Sequence, residues 1–308
     1  MNGVELLDGL VVPLVTGLDE NGMPDASAST RLLDAMARTG VTKLMLLGSN
    51  GEGPLLATSS LSRYVAEMVA AWRERVPAGV VVVNATAPAT TEALERGTIA
   101  VDAGADAVAL CPPFYFRHRD DEILDHYRRF ERLGIPVIVY NLPRYTNEMS
   151  PAVIEQLPAL AHVVGVKDSS GDLETLTRFL ALKESRPDFG VSQGGETALV
   201  AGLRLGADGI VPGTGNVAPE LALRIVAALR TGDDAAADEA QRITTVLTGL
   251  HGIRPGVPAV KAILDLLGLL PPHVAPPLAA CTASERSALE AFIAPHRSVL
   301  LDGGGTPS

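Results

Sequence analysis

Short runs of consecutive apolar residues alternate with longer amphipathic segments from one end of the chain to the other. The runs are rich in Val, Ile and Leu and alternate little between apolar and polar, which is typical of strands buried on both faces. Eight such runs occur, at residues 9–14, 41–47, 80–83, 107–110, 136–140, 163–166, 190–192 and 209–211. Their spacing fits βα units, and eight similar units favour an α/β protein with a closed (β/α)8 TIM barrel over an open doubly wound sheet.

Amphipathic segments with helical spacing separate the predicted strands, at residues 27–39, 60–75, 90–103, 120–133 and 173–185. Glycine follows the apolar face of such a segment and precedes a strand at Gly40, Gly104, Gly134 and Gly206, where a glycine ends a helix. Further helices are indicated after the eighth strand, at residues 219–231, 234–250, 257–267 and 284–294. We therefore predict a barrel over residues 1–230, a C-terminal helical extension over 231–300 and a frayed glycine-rich tail over 301–308.

Composition and charge narrow the classes of partner and compartment. Hydrophobic residues make up 47% of the 308 residues, which is ample for a buried core. The net charge of −11 argues against nucleic acid as a partner, because binding a polyanion needs clustered Lys and Arg. Cys111 and Cys281 are too few for a disulfide framework, which favours a reducing compartment. The first ten residues lack a signal-peptide pattern and no apolar stretch reaches the roughly 18 residues of a membrane helix, so we expect a cytoplasmic protein with no membrane partner.

Candidate chemistry lies at the carboxyl ends of the predicted strands, where barrels of this kind carry their active sites. Lys167 directly follows the run at 163–166 and is one of four lysines among 25 basic residues. A lysine partly desolvated in the barrel mouth is a nucleophilic amine for carbonyl compounds. The alternative is a structural ion pair with Asp168 or another carboxylate. Tyr140 ends the preceding strand, and its phenol either transfers protons beside the amine or packs in the core.

Glycine-rich turns and histidines carry weaker signals. The turn at residues 48–51 offers backbone N–H groups and the Ser49 hydroxyl to an anion such as a carboxylate. Gly213 and Gly215 lack the third glycine of a dinucleotide fingerprint, so no such cofactor is expected. The six histidines show no spacing typical of metal ligands, and no metal is predicted.

Four motifs together resemble the dihydrodipicolinate synthase / N-acetylneuraminate lyase family in order and spacing. They are GSNGE at residues 48–52, PFY at 113–115, YNLP at 140–143 and GVKD at 165–168. The resemblance extends from about residue 9 to about residue 270. It implies a (β/α)8 barrel with a helical C-terminal extension, class I aldolase chemistry on pyruvate without a cofactor, and a homotetramer.

The resemblance also implies a role for each matching residue. Lys167 corresponds to the lysine that forms an imine with pyruvate, and Tyr140 to the tyrosine that transfers protons. Ser49 corresponds to the hydroxyl of the proton relay, while the Ser49 and Asn50 amides correspond to the site of the pyruvate carboxylate. Tyr115 corresponds to a relay tyrosine that, in the synthases, crosses from a neighbouring subunit.

The walls and mouth of the implied pocket contain the departures from the family pattern. Gly194 and Val211 match wall positions. Glu196 falls where the sialate lyases have an acidic residue that accepts hydrogen bonds from substrate hydroxyls. The synthases have a Ser-Arg pair whose arginine holds the carboxylate of the aldehyde, whereas this chain has Arg144-Tyr145, with the cation one residue earlier.

These departures favour a catabolic or specialised aldolase over a lysine-biosynthetic enzyme. We predict a lyase that cleaves or forms a 4-hydroxy-2-oxo acid or a 2-keto-3-deoxy sugar acid, with pyruvate and an aldehyde or 2-oxo acid as its partners. The first alternative is a 4-hydroxy-tetrahydrodipicolinate synthase acting on pyruvate and aspartate semialdehyde, which Tyr145 disfavours. An alternative of another class is a catalytically silent sensor of 2-oxo acids, and a third is an unrelated phosphate-binding barrel.

Overall fold

The eight predicted strands form one closed parallel barrel, in chain order, in a computed structural model that describes residues 1–303. They are β1 (Gly9–Pro13), β2 (Lys43–Leu46), β3 (Val80–Asn84), β4 (Ala107–Leu110), β5 (Val137–Asn141), β6 (Val163–Asp168), β7 (Gly190–Gln193) and β8 (Gly209–Ile210). Each strand pairs in parallel with the next, and β8 pairs with β1, so the sheet has no free edge. The predicted TIM barrel is confirmed.

Helices alternate with the strands and continue after β8. They are α1 (Gly3–Leu7), α2 (Thr30–Arg38), α3 (Leu61–Arg75), α4 (Thr90–Asp102), α5 (Asp120–Arg128), α6 (Pro151–Gln156), α7 (Leu173–Ala181), α8 (Leu199–Arg204), α9 (Pro219–Thr231), α10 (Asp234–Leu247), α11 (Leu250–Ile253), α12 (Val257–Leu266) and α13 (Ala283–Ile293). The four glycines predicted to end helices all have φ between +64° and +109°. Within residues 1–303, no helix is long and apolar enough to cross a membrane.

The sequence pattern did not reveal α1, which closes the amino-terminal end of the barrel. Leu6 and Leu7 are fully buried and join an interior cluster that lines the barrel. A Cβ on Gly3 would lie 1.8 Å from the carbonyl oxygen of Val164, so only glycine lets the helix approach β6 so closely. The Asn2 side chain accepts a hydrogen bond from the Glu5 N–H at 2.9 Å, which caps the helix.

The C-terminal helices pack back onto the barrel. Helix α10 lies against α9, and α12 against α13. Leu301 is buried, and its N–H donates to the carbonyl oxygen of Val217 at 2.8 Å, so the chain is still docked where the predicted tail begins. Residues 304–308 of that tail lie outside the described residues. The boundary of the extension at residue 230 stays a prediction.

Candidate active site

Two neighbouring strands bring Lys167 and Tyr140 together at the carboxyl end of the barrel. Lys167 on β6 and Tyr140 on β5 are paired in register, and both side chains are buried, at 3% and 4% exposure. Ile138, two residues before Tyr140, belongs to the interior cluster, so Tyr140 faces the same interior. The Lys167 Nζ lies 4.0 Å from the centre of the Tyr140 ring, within cation–π distance.

Lys167 differs from the other lysines of this protein in having no carboxylate partner among residues 1–303. Lys43 pairs with Asp8, Lys183 with Asp208, and Lys261 with Glu52. The amine of Lys167 is therefore held in the barrel mouth by packing and not by an ion pair. Such an amine is suited to attack a carbonyl carbon.

Asp168, one of the partners considered for a structural ion pair with Lys167, is hydrogen-bonded to other groups. Its carboxylate accepts hydrogen bonds from Asn141 Nδ2 at 2.7 Å and from the Ser170 hydroxyl at 2.9 Å. Burial raises the pKa of Asp168, and these hydrogen bonds partly oppose that rise. Successive residues of a strand point to opposite faces, which separates this carboxylate from the Lys167 amine.

The Ser49 loop, residues 48–53, lies over the tyrosine. Ser49 Oγ is 3.4 Å from Tyr140 Oη, at the outer limit of a hydrogen bond. The N–H groups of Glu52 and Gly53 turn back to the carbonyl oxygens of Ser49 and Gly48, each at 3.2 Å. The Ser49 and Asn50 N–H groups donate to no acceptor within residues 1–303. Two unpaired amides in a curled loop are suited to an anion such as a carboxylate.

The predicted wall residues Gly194 and Val211 follow β7 and β8. A Cβ on Gly194 would lie 2.1 Å from Ser169 Oγ and 3.2 Å from Lys167 Cε, so a larger residue here would require a neighbouring side chain to move. Val211 is buried within the interior cluster of the barrel. Gly194 therefore lies directly against the Lys167 side chain, and Val211 packs in the barrel interior.

Glu196 and Asn50 approach one another at Gly213. The Glu196 carboxylate accepts the Thr214 N–H at 2.6 Å, which fixes its direction. A Cβ on Gly213 would lie 3.1 Å from Asn50 Nδ2 and 3.4 Å from Glu196 Oε2. The half-buried Glu196 thus adds a negative charge to the same mouth of the barrel that the Ser49 loop borders.

Sequence reasoning missed Gln241, which holds the Glu196 segment from outside the barrel. Its side-chain amide, on α10, donates to the Glu196 carbonyl oxygen at 2.9 Å and accepts the Val200 N–H at 3.0 Å. A glutamine on an amphipathic helix looks the same in sequence whether it is solvated or makes such a bridge. No local signal could have found it.

Tyr115 and Arg144 lie in the loops after β4 and β5 and do not reach the lysine of their own chain. Tyr115 is 86% exposed and contacts Phe116 edge-on, with ring centres 4.9 Å apart. The exposed Arg144 guanidinium lies over the ring of Tyr145, 5.4 Å from its centre. The structure therefore brings Lys167, Tyr140, Ser49, Asn50, Gly194 and Glu196 to one end of the barrel and leaves these two side chains in solvent.

A competing thiol nucleophile is disfavoured. Cys111 follows β4 and is buried, and burial raises the pKa of its thiol to about 12. The thiol is therefore protonated at neutral pH and a poor nucleophile. Within residues 1–303, no group of three or more His, Cys, Asp or Glu side chains is arranged to hold a metal ion.

Comparisons with known proteins agree on one family. The family model described as the dihydrodipicolinate synthetase family matches residues 6–295. A 4-hydroxy-tetrahydrodipicolinate synthase of Ruegeria pomeroyi is 33% identical over 289 residues, which cover 93% of this chain and 97% of that protein. An uncharacterized DapA-like lyase of Halobacterium salinarum is 32% identical over 290 residues, covering 94% of this chain and 93% of the other.

A solved structure gives the same result. The dihydrodipicolinate synthase from Bacteroides thetaiotaomicron matches with a TM-score of 0.86 at 26% identity, over 93% of this chain and 98% of that one. The prediction of a lyase that uses a pyruvate imine agrees with this membership. The chain belongs to the dihydrodipicolinate synthetase family of class I pyruvate aldolases.

Proposed function

We propose that this protein joins pyruvate to an aldehyde, or releases pyruvate from the product, through an imine on Lys167. The observation that carries the proposal is the position of Lys167: buried beside Tyr140, without an ion pair, and bordered by a loop with two unpaired amides. The amines of the other three lysines form ion pairs with carboxylates. Retention of both Lys167 and Tyr140 argues against a catalytically silent sensor.

The reaction follows from the chemistry of the imine. The Lys167 amine adds to C2 of pyruvate, and loss of water gives a protonated imine. The imine withdraws electrons, so C3 can lose a proton to give an enamine, which attacks the aldehyde carbon and forms the C3–C4 bond. Hydrolysis then releases the 2-oxo acid and restores the amine. In cleavage, Tyr140 takes the proton of the C4 hydroxyl as the C3–C4 bond breaks.

The residues around Lys167 receive roles that match their positions. The Ser49 and Asn50 amides bind the pyruvate carboxylate, and Gly194 leaves room for the lysine. The Ser49 hydroxyl, 3.4 Å from Tyr140 Oη, passes protons outward. Gly213 and Val211 complete the surroundings of the substrate chain. The reaction needs no cofactor, because the imine on Lys167 itself supplies the electrophile.

Tyr115 acts in a neighbouring subunit of a homotetramer in this proposal. Its ring and that of Phe116 are 86% and 69% exposed, and adjacent exposed aromatic rings are typical of an interface. Tyr115 also has φ of +84°, a strained conformation for a residue with a Cβ, which a fixed functional position can justify. We place the assembly in the cytoplasm on the grounds of its composition.

The substrate class rests on Glu196, Tyr145 and Arg144. A carboxylate at Glu196 repels a second anion but accepts hydrogen bonds from hydroxyl groups, which favours a 4-hydroxy-2-oxo acid or a 2-keto-3-deoxy sugar acid. The second candidate is condensation with aspartate semialdehyde. It is supported by the activity that names relatives such as the Ruegeria pomeroyi synthase, and by the exposed Arg144 cation in the loop after β5.

Reductive trapping tests the imine directly. Borohydride added in the presence of pyruvate should fix the reduced three-carbon unit on the peptide that contains Lys167, and mass spectrometry of the digest locates it. The three ion-paired lysines serve as internal controls and should stay unlabelled. Labelling of Lys43, Lys183 or Lys261, or no labelling at all, contradicts the proposal.

A further inference from the structure

A buried ion pair joins the Ser49 loop to the C-terminal helices. Glu52 Oε1 lies 2.5 Å from Lys261 Nζ, and the two side chains are 1% and 0% exposed. Lys261, on α12, also donates to the His273 carbonyl oxygen at 2.7 Å. The second carboxylate oxygen of Glu52 accepts the Ala275 N–H at 2.6 Å. The two charges thus face each other away from water, although they belong to segments far apart in the sequence.

The backbone at Glu52 adopts a strained conformation. Glu52 has φ of +56° and ψ of +17°, the left-handed conformation that glycine adopts at lower cost. A glutamate at such a position indicates that its side chain is needed there. Burial lowers the pKa of Lys261 and the Glu52 carboxylate opposes that shift, so Glu52 supports the charge of Lys261.

Three consecutive residues of the Ser49 loop are each held by a different part of the fold. Thr16, after β1, donates to the Gly51 carbonyl oxygen at 2.6 Å. Arg96, on α4, donates to the Gly53 carbonyl oxygen at 2.8 Å. Between them, Glu52 is held through its side chain by α12 and by the segment after it. The unpaired Ser49 and Asn50 amides stand immediately before these anchored residues.

We propose that the Glu52–Lys261 pair is a positioning device through which the C-terminal helices fix the Ser49 loop for binding the pyruvate carboxylate. This inference rests on the proposed function of that loop. Neither side chain touches pyruvate. Each acts through the backbone, because two amides bind one carboxylate only while their N–H groups converge, and a displacement of about 1 Å at a site can cost roughly 10²-fold.

Two variants loosen the pair in different ways. Glu52→Gln combined with Lys261→Met removes both charges together, so that no lone charge stays buried. Glu52→Asp keeps both charges but shortens the link by one methylene, so the loop must move for the pair to form. The matched control is Asp208→Asn with Lys183→Met, which removes another ion pair. Asp208 directly precedes β8, so this pair lies at the amino-terminal end of the barrel, away from the Ser49 loop.

The measured quantity is the pyruvate concentration that gives half-maximal borohydride trapping on Lys167, with circular dichroism as the check of folding. We expect it to rise about tenfold or more in both Glu52 variants and to stay within twofold of the wild type in the control. Trapping at saturating pyruvate should change little, because Lys167 itself is untouched.

The outcomes separate this inference from the proposed function. An unchanged half-saturation value in folded Glu52→Asp overturns the inference, even where the double variant fails to fold. An equal rise in the control pair overturns it too, since any loss of stability would then suffice. If wild-type protein traps no pyruvate on Lys167, the proposed function itself fails.

Discussion

The Nζ atom of Lys167 stands 4.0 Å from the centre of the Tyr140 ring because the two residues are register partners on adjacent strands. Strand pairing in a closed barrel fixes their separation more rigidly than a loop could. Amine and phenol are therefore preorganised, and the chemistry of one can be tested by altering the other.

Tyr140→Phe should separate proton transfer from packing. The change keeps the ring against Lys167 and removes the hydroxyl, so we expect kcat to fall by roughly 10²–10⁴-fold. The free energy of unfolding should change by about 1 kcal/mol or less in urea titration. Tyr127→Phe removes another buried hydroxyl, one that donates to the Leu110 carbonyl oxygen at 3.4 Å, and should leave kcat unchanged. Near-native turnover of Tyr140→Phe would make this tyrosine structural.

Gly194→Ala should displace the lysine. The added Cβ would lie 2.1 Å from Ser169 Oγ and 3.2 Å from Lys167 Cε, so one of these side chains must move. We expect the rate of borohydride trapping by pyruvate to fall about tenfold or more. Gly252→Ala, where a Cβ meets no atom within 4 Å, is the matched control and should behave like the wild type. An unaffected Gly194→Ala enzyme would mean that Ser169 alone gives way.

Mixing two inactive variants should restore activity if Tyr115 acts across a subunit interface. Tyr115→Phe and Tyr140→Phe chains, unfolded and refolded together in equal amounts, form mixed pairs in which one site has both tyrosines. With random pairing in a two-fold symmetric dimer, about half of the dimers are mixed, and one of the two sites in each mixed dimer has both tyrosines. About a quarter of all sites are therefore complete. Activity that recovers toward that fraction supports action in trans. Mixtures no more active than the separate variants contradict action of Tyr115 in trans.

The aldehyde preference should follow the charge in the barrel mouth. Comparing kcat/KM at saturating pyruvate, we expect neutral or hydroxylated aldehydes to exceed aspartate semialdehyde, because Glu196 repels a second carboxylate and Tyr145 offers no charge. Glu196→Gln should narrow the difference. If aspartate semialdehyde is the better substrate by tenfold or more, the prediction of a catabolic or specialised aldolase is wrong. Loss of that preference in Arg144→Ala would then identify Arg144 as the cation that binds the aldehyde's carboxylate.

Acid sensitivity should depend on His126. Its ring is 2% exposed, Nδ1 lies 2.9 Å from Thr90 Oγ1, and burial lowers its pKa to about 4. The unfolded chain takes up this proton near pH 6.5, so stability present above that pH is lost as the pH falls toward 4. Between pH 7 and pH 5, the free energy of unfolding measured in urea should fall by about 2 kcal/mol more for the wild type than for His126→Gln. Parallel stability curves for the two proteins would contradict this.

Local pattern was enough to predict the barrel and its central pair. Buried strands of a closed parallel sheet read as continuous apolar runs, so their order and their carboxyl ends can be located without any tertiary information. Lys167 and Tyr140 stand at such ends, and the register of β5 and β6 then brings them together. Helices α6 and α8 escaped prediction because six residues span less than two turns, too short for a helical period to show.

Contacts between distant parts of the chain could be decided only by the tertiary structure. The pattern predicted a helix over residues 257–267, but nothing local indicated that Lys261 in this helix is buried or that Glu52 is its partner. The bridge from Gln241 to Glu196 and the outward direction of Tyr115 likewise depend on how the helices pack and where each loop turns. The sequence by itself determined which residues stand at the carboxyl ends of the strands, because strand periodicity is local. The tertiary structure decided what holds them in place, because those contacts form only when the barrel has closed and the C-terminal helices have docked against it.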